Sequence, residues 1–222
     1  MILSIEENIC DIKKQLPKDV TLIAVSKTRT VEEIQEVYDQ GVRDFGENKV
    51  QELTDKIDRF DSSVRWHLIG HLQTNKVKYI VGKVHLIHSV DSIKLLKEIE
   101  KRYGADNLTA NILIQINIGR EESKTGIFKE DLPEILEACE NCNNIKVKGL
   151  MSVIPKGSEE DCKKYFREMQ NIWHSIKGKS YKNISMDYLS MGMTHDYKFA
   201  LEEGSNMIRV GEGIFGKRNY NK

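Results

Sequence analysis

A chain of 222 residues with 39% hydrophobic content is long enough for one well-packed core, and no Pro/Gly/Ser-rich linker divides it, so a single domain over residues 1–222 is expected. Its 34 basic and 34 acidic residues cancel, which argues against nucleic acid or an anionic membrane as a partner. The N-terminus lacks a basic start followed by an apolar segment, and no later apolar run reaches the ~20 residues of a spanning helix, so the expected location is the cytoplasm.

Taken in chain order, an opening amphipathic helix carries Ile5, Ile9, Ile12 and Leu16. "TLIAVS" then reads as a strand that leads to Thr30 and Glu33, a capping box, with Ile34, Val37 and Tyr38 as the helix stripe and Gly41 as its end. "RDFGEN" precedes a helix through Val50, Leu53 and Ile57, and "VRWHLIG" one through Val77, Ile80 and Val81. "KVHLIHSV" leads through Asp91 to a helix with Ile93, Leu96 and Ile99. "TANILIQINI" is the strongest strand, followed by an expected Asp131/Glu134 capping box and the stripe Leu132, Ile135, Leu136, Cys139. "IKVKGLMSVI" feeds the longest helix, capped by Ser158 and running to Gly178. "NISMDYLSM" precedes a helix from about His195 to Glu203, and "NMIRVGEGIFG" closes the set.

Eight strands alternating with helices point to a closed (β/α)8 TIM barrel with an extra N-terminal helix, an open doubly wound sheet being the alternative. No GxGxxG opens the first helix, which weakens that alternative. Of the 4 cysteines only Cys139 and Cys142, in "CENC", have a suggestive spacing. They follow an apolar helical face instead of opening a helix, so reduced structural thiols are expected.

In such a barrel the reactive face lies at the C-terminal ends of the strands, where Lys27 ends the first. A desolvated lysine there can act as a Schiff-base nucleophile, and a snorkelling or salt-bridged surface lysine fits the same position. "YLSMGMTHD" and "IRVGEGIFG" supply polar, glycine-containing loops after the last two strands, where barrels commonly hold phosphate. Ser190 offers a hydroxyl, Gly192 a close backbone approach, and Gly211, Glu212 and Gly213 amides, although ordinary turn chemistry also accounts for either loop alone. Lysine and cradle together describe the two ends of one phosphorylated aldehyde.

"AVSKTRT", "DFGENKVQE", "WHLIGHLQTNK", "SVDS", "QINIGREESKTG", "GLMSVIP", "LSMGMTHD" and "IRVGEGIFGKR" together resemble the pyridoxal 5'-phosphate (PLP) homeostasis protein family, single-domain relatives of the alanine racemase barrel. The resemblance covers nearly the whole chain. It implies that Lys27 forms the Schiff base with PLP, that Ser190 meets the phosphate beside Met191 and Gly192, and that Arg209 faces the pyridine nitrogen. It also implies that Gly211 and Glu212 present backbone amides to the phosphate. Family members usually read "GTAIFG" where this chain has "GEGIFG", so Glu212 brings a carboxylate where a hydroxyl is usual; a backbone contact survives that change and a side-chain contact does not.

Around the mouth, Asn48 reads as a site residue or an N-cap, His67 as a site or core residue, and Met151 as a cofactor contact or core filler. His67 and His71 have metal spacing only on a helix, and the local pattern is strand, so no metal is expected there. Residues 119–126, "GREESKTG", read as a solvated loop, a mobile lid or a partner contact. Three functions fit: a PLP carrier, a PLP-dependent enzyme such as a racemase, and a lysine Schiff-base lyase without PLP. Only "KRNYNK" follows Gly216, so the β-domain that positions the second base of alanine racemases is expected to be missing. An arginine at the pyridine nitrogen also weakens the ring as an electron sink, a feature the racemases share. The resemblance therefore implies a non-catalytic carrier that passes PLP to apo-enzymes, with a monomer expected.

Overall fold

Each of the eight β-rich runs forms a strand: β1 (Thr21–Val25), β2 (Asp44–Glu47), β3 (Arg65–Leu68), β4 (Leu86–Val90), β5 (Ala110–Ile116), β6 (Ile145–Ser152), β7 (Ile184–Ser190) and β8 (Met207–Val210). In the computed structural model, which describes residues 4–217, every strand pairs in parallel with the next and β8 returns to β1 with Ala24 opposite Val210. The barrel is therefore closed, as the alternation requires, and the open-sheet alternative falls away. Of the tail "KRNYNK", all but Lys217 lies outside the described residues.

The helices are α1 (Ile5–Gln15), α2 (Val31–Asp39), α3 (Val50–Ile57), α4 (Ile93–Ala105), α5 (Leu132–Glu140), α6 (Glu159–Lys177), α7 (Tyr197–Glu202) and α8 (Glu212–Phe215). Thr30 with Glu33 and Ser158 with Asp161 form reciprocal capping boxes that satisfy the first amides of α2 and α6. Helix α1 buries Ile9 and Ile12, contacts both α2 and the four-residue α8, and is tied to the latter by Asn8 Nδ2 donating to the Ile214 carbonyl at 3.0 Å. It thus covers the seam that α8 is too short to cover.

Three local expectations differ from the structure. The segment after β3 is a 3-10 helix, Thr74–Tyr79, because Gln73 provides no side-chain cap and the buried Val77 and Ile80 stand three apart, the 3-10 repeat. Ser92 caps α4, while the Asp91 carboxylate accepts from His71 Nδ1 at 2.9 Å. Asp131 does not cap α5; its carboxylate accepts from the Phe128 amide at 3.2 Å and starts a 3-10 turn, Lys129–Asp131. Asp196 accepts from the Met193 amide at 2.5 Å, so α7 begins two residues after His195.

The outer core fills the space between sheet and helices, and a smaller inner one of Ile23, Leu86, Leu113, Met151 and Met207 plugs the barrel. Cys139, Cys142 and Cys162 are buried free thiols, and burial pushes Cys139 up to about 12 and Cys142 to about 11, so neither is a ready nucleophile. Among the described residues no helix is long and apolar enough to cross a membrane.

Candidate functional site

Lys27 lies two residues past β1, half-buried, between two fastened neighbours. On one side Ser26 is fully buried: its Oγ donates to Glu47 Oε1 at 2.7 Å, and its carbonyl accepts from Lys56 Nζ at 2.9 Å. Lys56 also pairs with Glu47 at 2.8 Å. Burial raises the Glu47 carboxyl pKa, opposed by Lys56 and Ser26, and Glu47 Oε2 is left without a partner. On the other side Thr28 has φ +64°, a left-handed conformation that is strained for a β-branched residue, and its amide donates to Glu52 at 2.7 Å. Strain of this kind persists only where surrounding bonds hold it, so Lys27 is built into a fixed corner.

Register places the other predicted residues relative to that corner. Val25 pairs with Gly46, so Asn48 sits at the height of Lys27 on the neighbouring strand end. Asn48 is half-buried and lines a cleft of about 390 Å³ with His71, Gln73 and Lys76; the N-cap of α3 is Lys49, so Asn48 does not serve as one. Gly211 lies against Val25, where an added Cβ would come 3.3 Å from the Val25 carbonyl oxygen. Arg29 joins these two loops by donating to the Gly216 carbonyl at 2.6 Å and to Glu33 at 3.0 Å.

Ser190 ends β7 and Arg209 lies in β8, both buried, with Arg209 Nη1 donating to Ser190 Oγ at 2.6 Å and Nη2 to the Ser152 carbonyl at 2.8 Å. Burial pushes the Arg209 pKa down to about 10, with Asp196 opposing, so the group remains a cation at neutral pH. Gly192 has φ +94° and packs so closely on α7 that an added Cβ would come 2.7 Å from Ala200 Cβ; its carbonyl accepts from the Arg209 amide at 3.0 Å. Met151 stands opposite Ser190 in the sheet and belongs to the inner apolar plug.

Met191 is committed to the scaffold, its amide donating to the Met207 carbonyl at 3.1 Å and its side chain packed in the outer core. Of the three amides at the last loop, that of Gly213 is also committed, donating to Thr194 Oγ1 at 3.2 Å. The Glu212 side chain turns outward, 43% exposed, with its carboxylate 3.9 Å from His195 Nε2.

The 119–126 loop is fastened from beneath. Asn117 Nδ2 donates to the Glu121 and Lys124 carbonyls at 2.8 and 3.0 Å, and Gln115 Nε2 to the Thr125 carbonyl at 2.8 Å. These bonds make it an ordered lip on the mouth.

Sequence reasoning missed a polar chain crossing the barrel interior. His88 Nδ1 lies 3.1 Å from Ser190 Oγ, His88 Nε2 lies 3.0 Å from His67 Nδ1, and His67 Nε2 lies 3.0 Å from Asp44 Oδ1. Arg65 grips Asp44 from the far end at 2.7 and 2.5 Å. The signal was a histidine at an inward position of the apolar run "LIHSV", two residues after Leu86. Burial lowers the His67 and His88 pKa values, and for His88 the charges of His67, Arg209 and His85 add to the effect.

Asp44 has the opposite balance. Burial raises its pKa, but hydrogen bonds from His67 and Arg65 outweigh burial and hold the carboxyl at about 2, below its ordinary 3.8. A depressed carboxyl stabilises the fold above its unfolded pKa, and that stability is lost as pH falls from about 4 through about 2, amounting to about 2 kcal/mol. Urea unfolding at about pH 5 and about pH 2.5 is expected to show this loss in the wild type and much less of it in Asp44→Asn. Parallel losses in the two proteins would refute the assignment.

The model of the "Alanine racemase, N-terminal domain" family matches residues 3–219. The "Pyridoxal phosphate homeostasis protein" of Aquifex aeolicus is 43% identical over 90% of this chain and 87% of that protein, and its Escherichia coli namesake is 35% identical over 93% and 89%. Among solved structures, PipY of Synechococcus elongatus without PLP superposes with a TM-score of 0.91 at 32% identity, covering 96% of this chain and all of that one. PipY with PLP bound gives 0.88 at 31% identity over the same shares. Alanine racemase of Clostridium difficile shares the fold, with a TM-score of 0.81 at 15% identity over 98% of this chain and 58% of that one.

Proposed function

We propose, starting from the fact that this chain belongs to the pyridoxal phosphate homeostasis protein family, that it binds PLP at the barrel mouth, holds it covalently on Lys27, and serves PLP homeostasis as a carrier and not as a catalyst. The observation that carries this reading is Arg209. It is a buried guanidinium that donates to a hydroxyl and a carbonyl, and among the described residues it forms no ion pair. A buried cation of this kind is costly unless an acceptor arrives to meet it, so the mouth fits an anionic or electron-rich ligand.

When bound, PLP supplies an aldehyde that an amine can attack and an electron-accepting ring. Lys27 provides the amine, and the clamps on Ser26 and Thr28 hold it over the mouth. Ser190, Gly192, Gly211 and the backbone of Glu212 form the phosphate end, where hydrogen-bond donors suit an anion. The outward turn of the Glu212 side chain keeps its carboxylate off that end. Asn48 and Met151 flank the ring. Arg209 carries only donors, so a ring nitrogen facing it accepts and stays unprotonated, which restrains carbanion chemistry.

On this reading residues 1–222 act as one PLP-binding unit, a cytoplasmic monomer that passes PLP to apo-enzymes. The balanced charge, 34 of each sign, gives no driving force toward nucleic acid or membrane. The test is a visible spectrum of the purified protein before and after adding PLP, followed by a panel of amino acids. A visible band bleached by borohydride, with no turnover, is expected. A protein that takes up no PLP would favour a lysine lyase, and racemisation or decarboxylation proportional to bound PLP would establish an enzyme.

A further inference from the structure

We propose that phosphate binding at Ser190 draws one proton from solvent onto His88, so that the histidine pair inside the barrel couples occupancy of the mouth to proton uptake. The proposal rests on the reading that Ser190 meets the phosphate of PLP.

The hydrogen positions along the chain follow from its ends. Asp44 is an ionised carboxylate and only accepts, so His67 carries its proton on Nε2. A neutral His67 then has a lone pair on Nδ1, and the 3.0 Å contact with His88 requires the His88 proton on Nε2. That leaves a lone pair on His88 Nδ1, to which the Ser190 hydroxyl donates across 3.1 Å. At the other end Arg209 only donates, and Ser190 Oγ accepts from it at 2.6 Å. Every bond points from Arg209 toward Asp44.

In this arrangement the single Ser190 hydrogen is engaged by His88. A phosphate dianion accepts and does not donate, so Ser190 can serve it only by turning that hydrogen away and leaving a buried His88 nitrogen unpaired. Reversing the whole chain is closed off, because it would require a proton on Asp44. One added proton resolves the conflict. With Nδ1–H formed, His88 donates at both ring nitrogens, to Ser190 Oγ and to His67 Nδ1, while His67 and Asp44 stay as they are. Ser190 Oγ then accepts twice, from Arg209 and His88, and donates its hydrogen to the phosphate, filling its capacity of two lone pairs and one O–H. One N–H bond forms at His88 as one bond to hydrogen breaks in the solvent or buffer acid that donates the proton, and no bond within the protein breaks.

The charges around His88 set the direction. Arg209 from β8 opposes its protonation, and the rings of His67 from β3 and of His85, at the foot of β4 with its ring 5.4 Å from that of His67, would oppose it only where they are themselves protonated. Asp44 from β2 favours it but is shared with Arg65. The balance keeps the free protein's His88 neutral, and two negative charges arriving beside Ser190 reverse it.

The test is calorimetric titration of the wild type and His88→Gln with PLP, at one neutral pH in two buffers of different ionisation heat, with pyridoxal, which lacks the phosphate, as control. PLP binding is expected to take up about one proton more in the wild type than in the variant, and pyridoxal to show no such difference. Equal proton counts for PLP in both proteins, with the visible band present in both, would overturn the coupling and leave PLP binding intact. Absence of the band from the wild type would instead remove the PLP reading, and the coupling with it. Should His88→Gln not fold, histidine ring nitrogen spectra of the wild type decide: His88 protonated at both nitrogens only with PLP supports the coupling, and a neutral His88 in both states overturns it.

Discussion

Lys27→Ala is expected to abolish covalent attachment of PLP completely. After incubation with PLP and borohydride reduction, the wild type should gain the mass of one reduced PLP at Lys27, and the variant none. Two other amines of the barrel are already engaged: Lys56 is bound to Glu47 and to the Ser26 carbonyl, and Lys124 donates to the Ile154 carbonyl at 2.8 Å. The fold is expected to change little, by less than about 1 kcal/mol, since the clamps on Ser26 and Thr28 use backbone atoms and the Ser26 hydroxyl, none of which the substitution removes. Non-covalent PLP binding through the proposed contacts of Ser190 and Arg209 is expected to remain in the variant. Reduced PLP found on another lysine of Lys27→Ala would show that the corner around residue 27 is not what selects the amine.

Gly149→Ala is expected to be the most damaging single methyl group in the barrel. Gly149 lies in β6 at a register shift, with φ +149°, and an added Cβ would overlap the Tyr188 carbonyl oxygen of β7 outright and come within 2.7 Å of the Tyr188 carbonyl carbon. Both neighbours are backbone, so no side-chain rotation relieves the contact; β7 must move, and β7 carries Ser190. Overpacking together with backbone strain places the cost at about 3 kcal/mol or more, which for a domain of this size lowers Tm by roughly 6–12 °C. Thermal unfolding of the variant within about 2 °C of the wild type would show that the bulge relaxes freely.

The barrel was legible because most strands are short runs rich in Val, Ile and Leu, and helices such as α2 and α6 announce their starts, as Thr30 with Glu33 and Ser158 do. Local misreadings share one cause. Asp131 and Asp196 are plausible caps by position, but each carboxylate turns back to an amide three residues earlier, while Asp91 meets His71, 20 residues away, which only the fold brings near. The same limit hid the interior chain. Asp44, His67 and His88 lie on three strands, and alternation marks them as inward-facing without saying that they touch. Lys27 and Ser190 stood out because loops and strand ends in a barrel have a known address, whereas the middle of a strand has none; Arg209, inside β8, came only from the family resemblance. Gly149 looked like an ordinary strand residue, since a bulge leaves no trace beyond the glycine itself.

The seam between β1 and β8, where Thr21 pairs with Met207, is covered by α1 lying on α8, an overlay that joins parts of the chain 206 positions apart. During synthesis the first strand therefore has no partner on that side until nearly the whole polypeptide has left the ribosome, and it presents an open edge for that time. Closure is therefore expected late in assembly, since contacts of such long sequence separation must first bring distant parts of the chain together. The pocket inherits this order: β1 and the Lys27 that follows it leave the ribosome early, yet Ile23 gains Arg209 and Val25 gains Gly211 as neighbours only at the end, so a nascent chain has no closed mouth before it is a finished barrel.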